Sequence, residues 1–131
     1  MKFSKMQAAG NDFILMNGMI EKSSNWNETA KKVCDRHFGI GADGLMFCEE
    51  SMKADIKMNY YNSDGSRGEM CGNGIRCFAK FVYDNEIVKK NEFSVETDAG
   101  IKYIKLDIGA LGAIEYLKVN MEKVDFKGKN I

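Results

Sequence analysis

Long apolar runs are absent from this sequence, which limits the classes of protein to which it can belong. No stretch approaches the ~20 apolar residues that a membrane-spanning helix needs. Residues 1–12 also lack the continuous apolar stretch of a secretory signal peptide. We therefore expect a cytoplasmic protein without a membrane partner, in which the cysteines are mostly reduced.

An excess of charge of one sign is also absent, and the cysteines and histidines that bind zinc are few. The 19 basic and 19 acidic side chains cancel, so no overall field attracts nucleic acid. Four cysteines, at positions 34, 48, 71 and 77, form no C-x-x-C pair, and His37 is the single histidine. These spacings do not indicate a structural zinc site.

What the chain does contain fits one globular domain of mixed structure. It has 131 residues, of which 44% are hydrophobic and 29% are charged, and this length suffices to bury a core. Periodicity predicts strands over residues 2–6, 13–16, 45–48, 55–61, 93–95, 101–108 and 114–119. It predicts helices over 28–35, with Asn27 as the cap, and over 75–83. The mixture indicates an α+β fold with a mostly antiparallel sheet and one well-buried helix.

Residues 39–44 form a glycine-rich segment, GIGADG, that matches the dinucleotide-binding pattern G-x-G-x-x-G. That function requires a strand before the pattern and a helix that opens inside it. Here a predicted helix precedes the segment and a predicted strand follows it. We therefore interpret the segment as a tight turn whose glycines permit positive φ. Asp43, within it, either contacts a ligand or holds the loop.

The most informative cysteine is Cys71, which stands directly before the second predicted helix. Gly72 and Gly74 leave backbone N–H groups open to a ligand, and the first N–H groups of a helix have no internal partner. Such a helix end suits a carboxylate, and it also stabilises a thiolate. A thiolate beside a bound carboxylate can remove a proton from the adjacent carbon. The competing interpretation is a packed, inert cysteine, which we favour for Cys34, Cys48 and Cys77.

Four sequence blocks resemble the signatures of the diaminopimelate epimerases, in the order and at the approximate spacing of that family. They are Met6–Phe13 (MQAAGNDF), Asp35–Leu45 (DRHFGIGADGL), Asn62–Ser66 (NSDGS) and Met70–Cys77 (MCGNGIRC). The resemblance implies a strongly curved sheet wrapped around a central helix. It also implies two such domains with the active site between them. In that mechanism one thiolate takes the α-proton, and the thiol of the other domain returns a proton to the opposite face.

The resemblance also implies roles for individual residues. Cys71 matches the catalytic base of the first domain, and Gly72 and Asn73 match the backbone donors on the α-carboxylate side of the substrate. Asn11 and Asn62 match the substrate-binding asparagines. The pair Asp43 and Gly44 matches a loop near the substrate that varies within the family. One departure is Ala8-Ala9, which replaces a more usual glycine-containing pair.

The block that carries the second catalytic cysteine has no counterpart in residues 1–131. We therefore interpret these residues as the N-terminal domain of a diaminopimelate epimerase-like protein, with the C-terminal domain missing from this chain. Inversion needs an acid on the face opposite Cys71, so we expect the isolated chain to be inactive. The sequence leaves open whether the complete protein is a homodimer.

The expected function is the cofactor-independent epimerisation of LL-diaminopimelate to meso-diaminopimelate, a precursor of lysine and of cell walls. No lysine stands in a context that indicates a pyridoxal Schiff base, although the sequence does not exclude Lys80. Two alternatives stay open at this point. One is a related amino-acid racemase on the same scaffold, and the other is a non-catalytic carboxylate-binding module.

Overall fold

Seven strands lie in one sheet in the order in which they occur along the chain. The computed structural model describes residues 2–69 and 71–120. The strands are β1 (Ser4–Ala8), β2 (Asn11–Asn17), β3 (Gly44–Glu49), β4 (Ile56–Asn62), β5 (Glu92–Thr97), β6 (Gly100–Ile108) and β7 (Ile114–Asn120), and the helices are α1 (Trp26–Cys34) and α2 (Gly72–Asp84). Neither of these two described helices is long and apolar enough to cross a membrane.

Most neighbouring strands in the described sheet are antiparallel, as predicted. The two exceptions are the parallel pairs β2–β3 and β4–β5. Each parallel pair is joined by a helix, α1 in the first case and α2 in the second. Parallel neighbours need a long crossover, which a helix commonly supplies, whereas antiparallel neighbours need only a turn. The order of elements along the chain therefore accounts for the mixed sheet.

Helix α2 lies inside the curve of the sheet. It contacts β1 and β2 at one end of the strand order and β7 at the other end. One helix can contact both ends of a seven-stranded sheet only if the sheet curls around it. The prediction of a strongly curved sheet around a central helix is thus confirmed. Gly72 and Gly74 disfavour helix by about 1 kcal/mol each. Burial of Ile75, Phe78 and Val82 outweighs that cost, because each contributes about 1.5–3 kcal/mol.

Helix α1 packs on the outer face of the sheet, where Ala30 and Cys34 are buried against β2 and β3. Its N-cap is Asn25, whose side chain accepts a hydrogen bond from the N–H of Glu28 at 3.2 Å. The predicted cap, Asn27, was therefore wrong by two positions. Asn27 instead donates from Nδ2 to the carbonyl of Gly65 at 2.8 Å. Both asparagines suit a cap, and only the position of the helix distinguishes them.

A two-residue turn joins β1 to β2, with Ala8 paired to Asn11 across it. The two turn residues, Ala9 and Gly10, have φ values of 50° and 90°. Positive φ at both positions is what a type I′ hairpin turn requires. Glycine adopts this conformation without strain, whereas an L-residue with a Cβ pays about 1–2 kcal/mol. Ala9, one of the two alanines that replace the usual glycine-containing pair, therefore stands at a strained position.

The substitution Ala9→Gly is expected to raise the free energy of unfolding by about 0.5–1 kcal/mol, because it removes this strain while adding some chain entropy to the unfolded state. Urea titration of the wild type and the variant measures the difference. Ala113→Gly is the matched control, since Ala113 is also an exposed loop alanine but does not have positive φ. It is expected to lower the stability. Equal losses in both variants would contradict the account of the turn.

Candidate active site

Cys71 is the N-cap of helix α2, and its thiol is part of the cap. The Sγ atom accepts a hydrogen bond from the N–H of Gly74 at 3.3 Å. A Cβ on Gly74 would lie 3.2 Å from that sulfur, a tight contact that glycine avoids. The predicted open N–H of Gly74 is therefore occupied by the thiol. Gly72 is exposed and Asn73 is half-buried. Their N–H groups therefore remain the candidate donors to a carboxylate.

The other three cysteines are buried within the domain. Burial raises the pKa of the Cys34 thiol to about 11, because a thiolate is poorly solvated in apolar surroundings. Burial also raises the pKa of the Cys48 and Cys77 thiols. Cys71, by contrast, is only half-buried. These positions agree with the interpretation that the other three cysteines are packed and inert.

Three strand ends meet beside the N-terminus of α2. The register pairs Phe13 of β2 with Gly44 of β3, and Gly44 with Asn62 of β4. A Cβ on Gly74 would lie 3.9 Å from the Phe13 ring, which places the helix end over this edge of the sheet. Side chains alternate between the faces of a strand, so Asn11, two residues before Phe13, belongs to the same face. Asn11, Gly44 and Asn62 therefore lie on the α2 side of one sheet edge, whereas Asp43, one position before Gly44, belongs to the opposite face.

Gly44 is required at this edge for space, because a Cβ there would lie 2.5 Å from Cε1 of Tyr60. The Tyr60 ring also makes an edge contact with the Phe13 ring, at a centroid distance of 5.9 Å. Burial raises the pKa of the Tyr60 hydroxyl, and repulsion from negative charge on nearby Cys71 raises it further. Sequence reasoning missed Tyr60 as a neighbour of the site. The available signal was its spacing of two positions from Met58, which places both side chains on the inner face of β4.

Only one glycine of the 39–44 segment needs positive φ, namely Gly41 at 87°. Gly39 is needed because a Cβ would collide with the carbonyl of Lys32, and Gly44 is needed beside Tyr60. The order of elements confirms that the segment joins a helix to a strand, with α1 before it and β3 after it. The segment therefore lacks the preceding strand and the internal helix start that the dinucleotide-binding pattern requires.

Asp43 holds its loop through an ion-pair cluster with Asp12 and Arg36. The Arg36 guanidinium contacts both carboxylate oxygens of Asp12, at 3.1 and 2.9 Å, and Oδ1 of Asp43 at 3.1 Å. The hydrogen bond from Arg36 is the main cause that holds the pKa of Asp12 well below its usual range. Of the two roles that the sequence left open for Asp43, this geometry supports the structural one.

The loop that follows β4 is closed by its own polar groups. Nδ2 of Asn62 donates to Oγ of Ser66 at 3.0 Å, and the backbone N–H of Asn62 donates to the carbonyl of Ser66 at 2.8 Å. Gly65 supplies the positive φ that the turn needs, 90°. The loop thus fixes the orientation of the Asn62 amide at the sheet edge.

Lys80 lies on the exposed face of α2, where its Nζ forms an ion pair with Asp84 at 2.7 Å. It is nine positions from Cys71 along the chain, which corresponds to roughly 13 Å along a helix axis. The lysine that the sequence did not exclude as a pyridoxal ligand is therefore far from the strand ends at the candidate site.

A curved sheet around one helix, with the N-terminus of that helix beside the strand ends, places the chain in a class of fold found among epimerases. A solved hydroxyproline epimerase from Agrobacterium vitis, which carries bound trans-4-hydroxy-L-proline, has a TM-score of 0.69 to this chain at 11% identity. The match covers 91% of this chain and 40% of that one. At this level of identity the likeness concerns the fold alone.

Sequence comparison assigns the family. The diaminopimelate epimerase family model matches residues 3–126. Relatives that carry the name diaminopimelate epimerase include one from Alkaliphilus metalliredigens, 51% identical over 99% of this chain, and one from Acetivibrio thermocellus, 49% identical over 100% of it. The chain belongs to the diaminopimelate epimerase family. It spans about half the length of these relatives, with 46% of each covered.

The ion pair of Asp12 predicts a pH-dependent contribution to stability. The folded pKa of Asp12 is lowered, so its charge stabilises the fold above the unfolded pKa of ~3.9 and this effect is lost as the pH falls through the folded pKa. Asp12→Asn is expected to lower the free energy of unfolding at pH 7 by about 1 kcal/mol. The difference in free energy of unfolding between the variant and the wild type should narrow below pH ~4.

Urea titrations from pH 7 to pH 3 measure this gap. Asp107→Asn, at an exposed position of β6, is the control and should follow the wild type throughout. A gap between Asp12→Asn and the wild type that stays constant over this pH range would contradict the role given to the Asp12 charge.

Proposed function

We propose that the protein containing this chain epimerises LL-diaminopimelate to meso-diaminopimelate without a cofactor, and that Cys71 is one of its two proton-transferring groups. The observation that carries the proposal is the position of the thiol. Cys71 caps α2, is half-buried, and accepts a hydrogen bond from a helix N–H at 3.3 Å. The family membership and the names of the relatives support the choice of substrate.

The helix end favours negative charge at the two places where the reaction needs it. The N–H groups of Gly72 and Asn73 bind the α-carboxylate, and the positive end of the helix dipole stabilises the thiolate of Cys71. The α-proton of an amino acid is weakly acidic, so the charge that develops on the α-carbon must also be stabilised by fixed dipoles in a site that excludes water. Asn11 and Asn62 bind the polar ends of the substrate from the neighbouring strand ends.

Inversion at the α-carbon requires a proton donor on the face opposite the thiolate. The three remaining cysteines of this chain are buried in its own core, so none of them can reach that face. We therefore propose that residues 1–131 form the N-terminal domain and that a second domain supplies the opposing thiol. The chain covers 46% of the length of each of the two curated relatives described above, which supports a second domain outside residues 1–131.

Cys71→Ser in the full-length protein is expected to lower turnover at least ~10²-fold, the order expected for loss of a general base. Serine retains the capping hydrogen bond but does not ionise at neutral pH, so the helix should form normally. Deuterium uptake from heavy water into diaminopimelate measures the reaction. Cys77→Ala, which alters a buried cysteine on the same helix, is the control and should retain turnover. Turnover by Cys71→Ser close to that of the wild type would remove Cys71 from the mechanism.

The isolated chain of residues 1–131 should not invert LL-diaminopimelate, because it holds one of the two proton-transferring groups. Chiral chromatography of the product tests this, with the full-length protein as the positive control. Inversion by the isolated chain would overturn the two-domain account. Turnover of a different amino acid by the full-length protein, with none of diaminopimelate, would move the assignment to a related racemase.

A further inference from the structure

A single guanidinium joins the segments that lead into the site. Arg36, just after α1, contacts both oxygens of Asp12 at 3.1 and 2.9 Å and one oxygen of Asp43 at 3.1 Å. Lys5 adds a longer ion pair to Asp12, at 3.6 Å. Asp12 belongs to the start of β2 and Asp43 immediately precedes β3. The guanidinium therefore connects two strand starts.

Backbone hydrogen bonds extend this connection to the loop after β4. The N–H of Asp12 donates to Oδ2 of Asp43 at 3.0 Å, and the N–H of Asp43 donates to the carbonyl of Asp12 at 2.9 Å. The carbonyl of Asp43 in turn accepts from the N–H of Ser63 at 3.1 Å. Three segments of chain are thus linked through one residue, Asp43, whose carboxylate Arg36 holds.

Each linked residue is the sequence neighbour of a residue at the site. Asp12 follows Asn11, Asp43 precedes Gly44, and Ser63 follows Asn62. Neighbouring residues of a strand point to opposite faces, so the carboxylates of Asp12 and Asp43 lie behind the sheet edge while Asn11 and Asn62 lie in front of it. A shift of the rear contacts would move the front residues with them.

The local geometry favours arginine over lysine at this position. A planar guanidinium can bind a carboxylate through two parallel hydrogen bonds and a second carboxylate at its side, whereas an ammonium group offers no fixed fork. Separately, the 39–44 segment passes close to the backbone of Arg36. Gly41 has φ of 87°, and a Cβ there would lie 3.2 Å from Cα of Arg36.

From these contacts we propose that Arg36 is a positioning residue for the reaction, acting from the rear face of the sheet on Asn11 and Asn62 through Asp12, Asp43 and Ser63. The proposal rests on the function proposed above. An ordinary surface ion pair would affect stability alone. A positioning residue also affects how tightly the substrate is held, and the two roles therefore differ in a measurable way.

In the full-length protein, Arg36→Met is expected to raise KM for diaminopimelate about tenfold and to change kcat less than about threefold, because it disturbs substrate-binding groups and leaves the thiol of Cys71 in place. Arg36→Lys should give an intermediate KM, since it restores the charge without the fork. Lys90→Met is the matched control. It removes another exposed ion pair, of 2.8 Å to Asp55, and should leave KM and kcat within about twofold of the wild type.

Amide hydrogen exchange without substrate tests whether Arg36 holds these loops, independently of turnover. In Arg36→Met the N–H groups of Asp12, Asp43 and Ser63 should exchange faster, while those of Met46 and Met58 in the core strands should be unchanged. Unchanged exchange at the first three amides, or a KM like that of Lys90→Met, would overturn the positioning role. Absence of turnover in the wild type would instead overturn the proposed function, and the exchange rates would still decide whether Arg36 holds the loops.

Discussion

The burial of α2 inside a curled sheet is the constraint on which the rest of the structure depends. The helix begins with two glycines among its first three residues and has little intrinsic tendency to form there. It forms because Ile75, Phe78 and Val82 are fully enclosed. Enclosure along its length leaves the N-terminus at the edge where β2, β3 and β4 meet. The same packing that stabilises the domain therefore also places the Cys71 thiol.

The site is consequently built from backbone and packing more than from charged side chains. Helix N–H groups supply the positive potential, and Gly74 permits the thiol to approach one of them. Gly44 leaves room for the ring of Tyr60 on the same face. The nearby charges of Arg36, Asp12 and Asp43 lie behind the sheet edge. Their mutual attraction fixes the positions of these loops from the rear face of the sheet.

Much of the fold could be predicted from the sequence because alternation and helical periodicity are local. The strands from β2 onward were predicted near their observed positions. Cys71 was predicted to precede the second helix, but that helix begins at Gly72 rather than at residue 75, which makes Cys71 its N-cap. Features that depend on distant contacts were missed. Asn25 and Asn27 have equal capping ability, and only the packed position of α1 selects the first. Arg36 lies inside a sequence block typical of the family, yet its carboxylate partners are 24 and 7 positions away, and no local pattern predicts that pairing.

The central claim is that Cys71 and the helix end beside it form the substrate site. Protection of the thiol by substrate tests this claim most directly. In the full-length protein, diaminopimelate should slow the alkylation of Cys71 by iodoacetamide in a saturable manner and leave the rates at Cys34, Cys48 and Cys77 unchanged, as read by mass spectrometry of peptides. Alkylation of Cys71 at the same rate with and without saturating diaminopimelate would contradict the account.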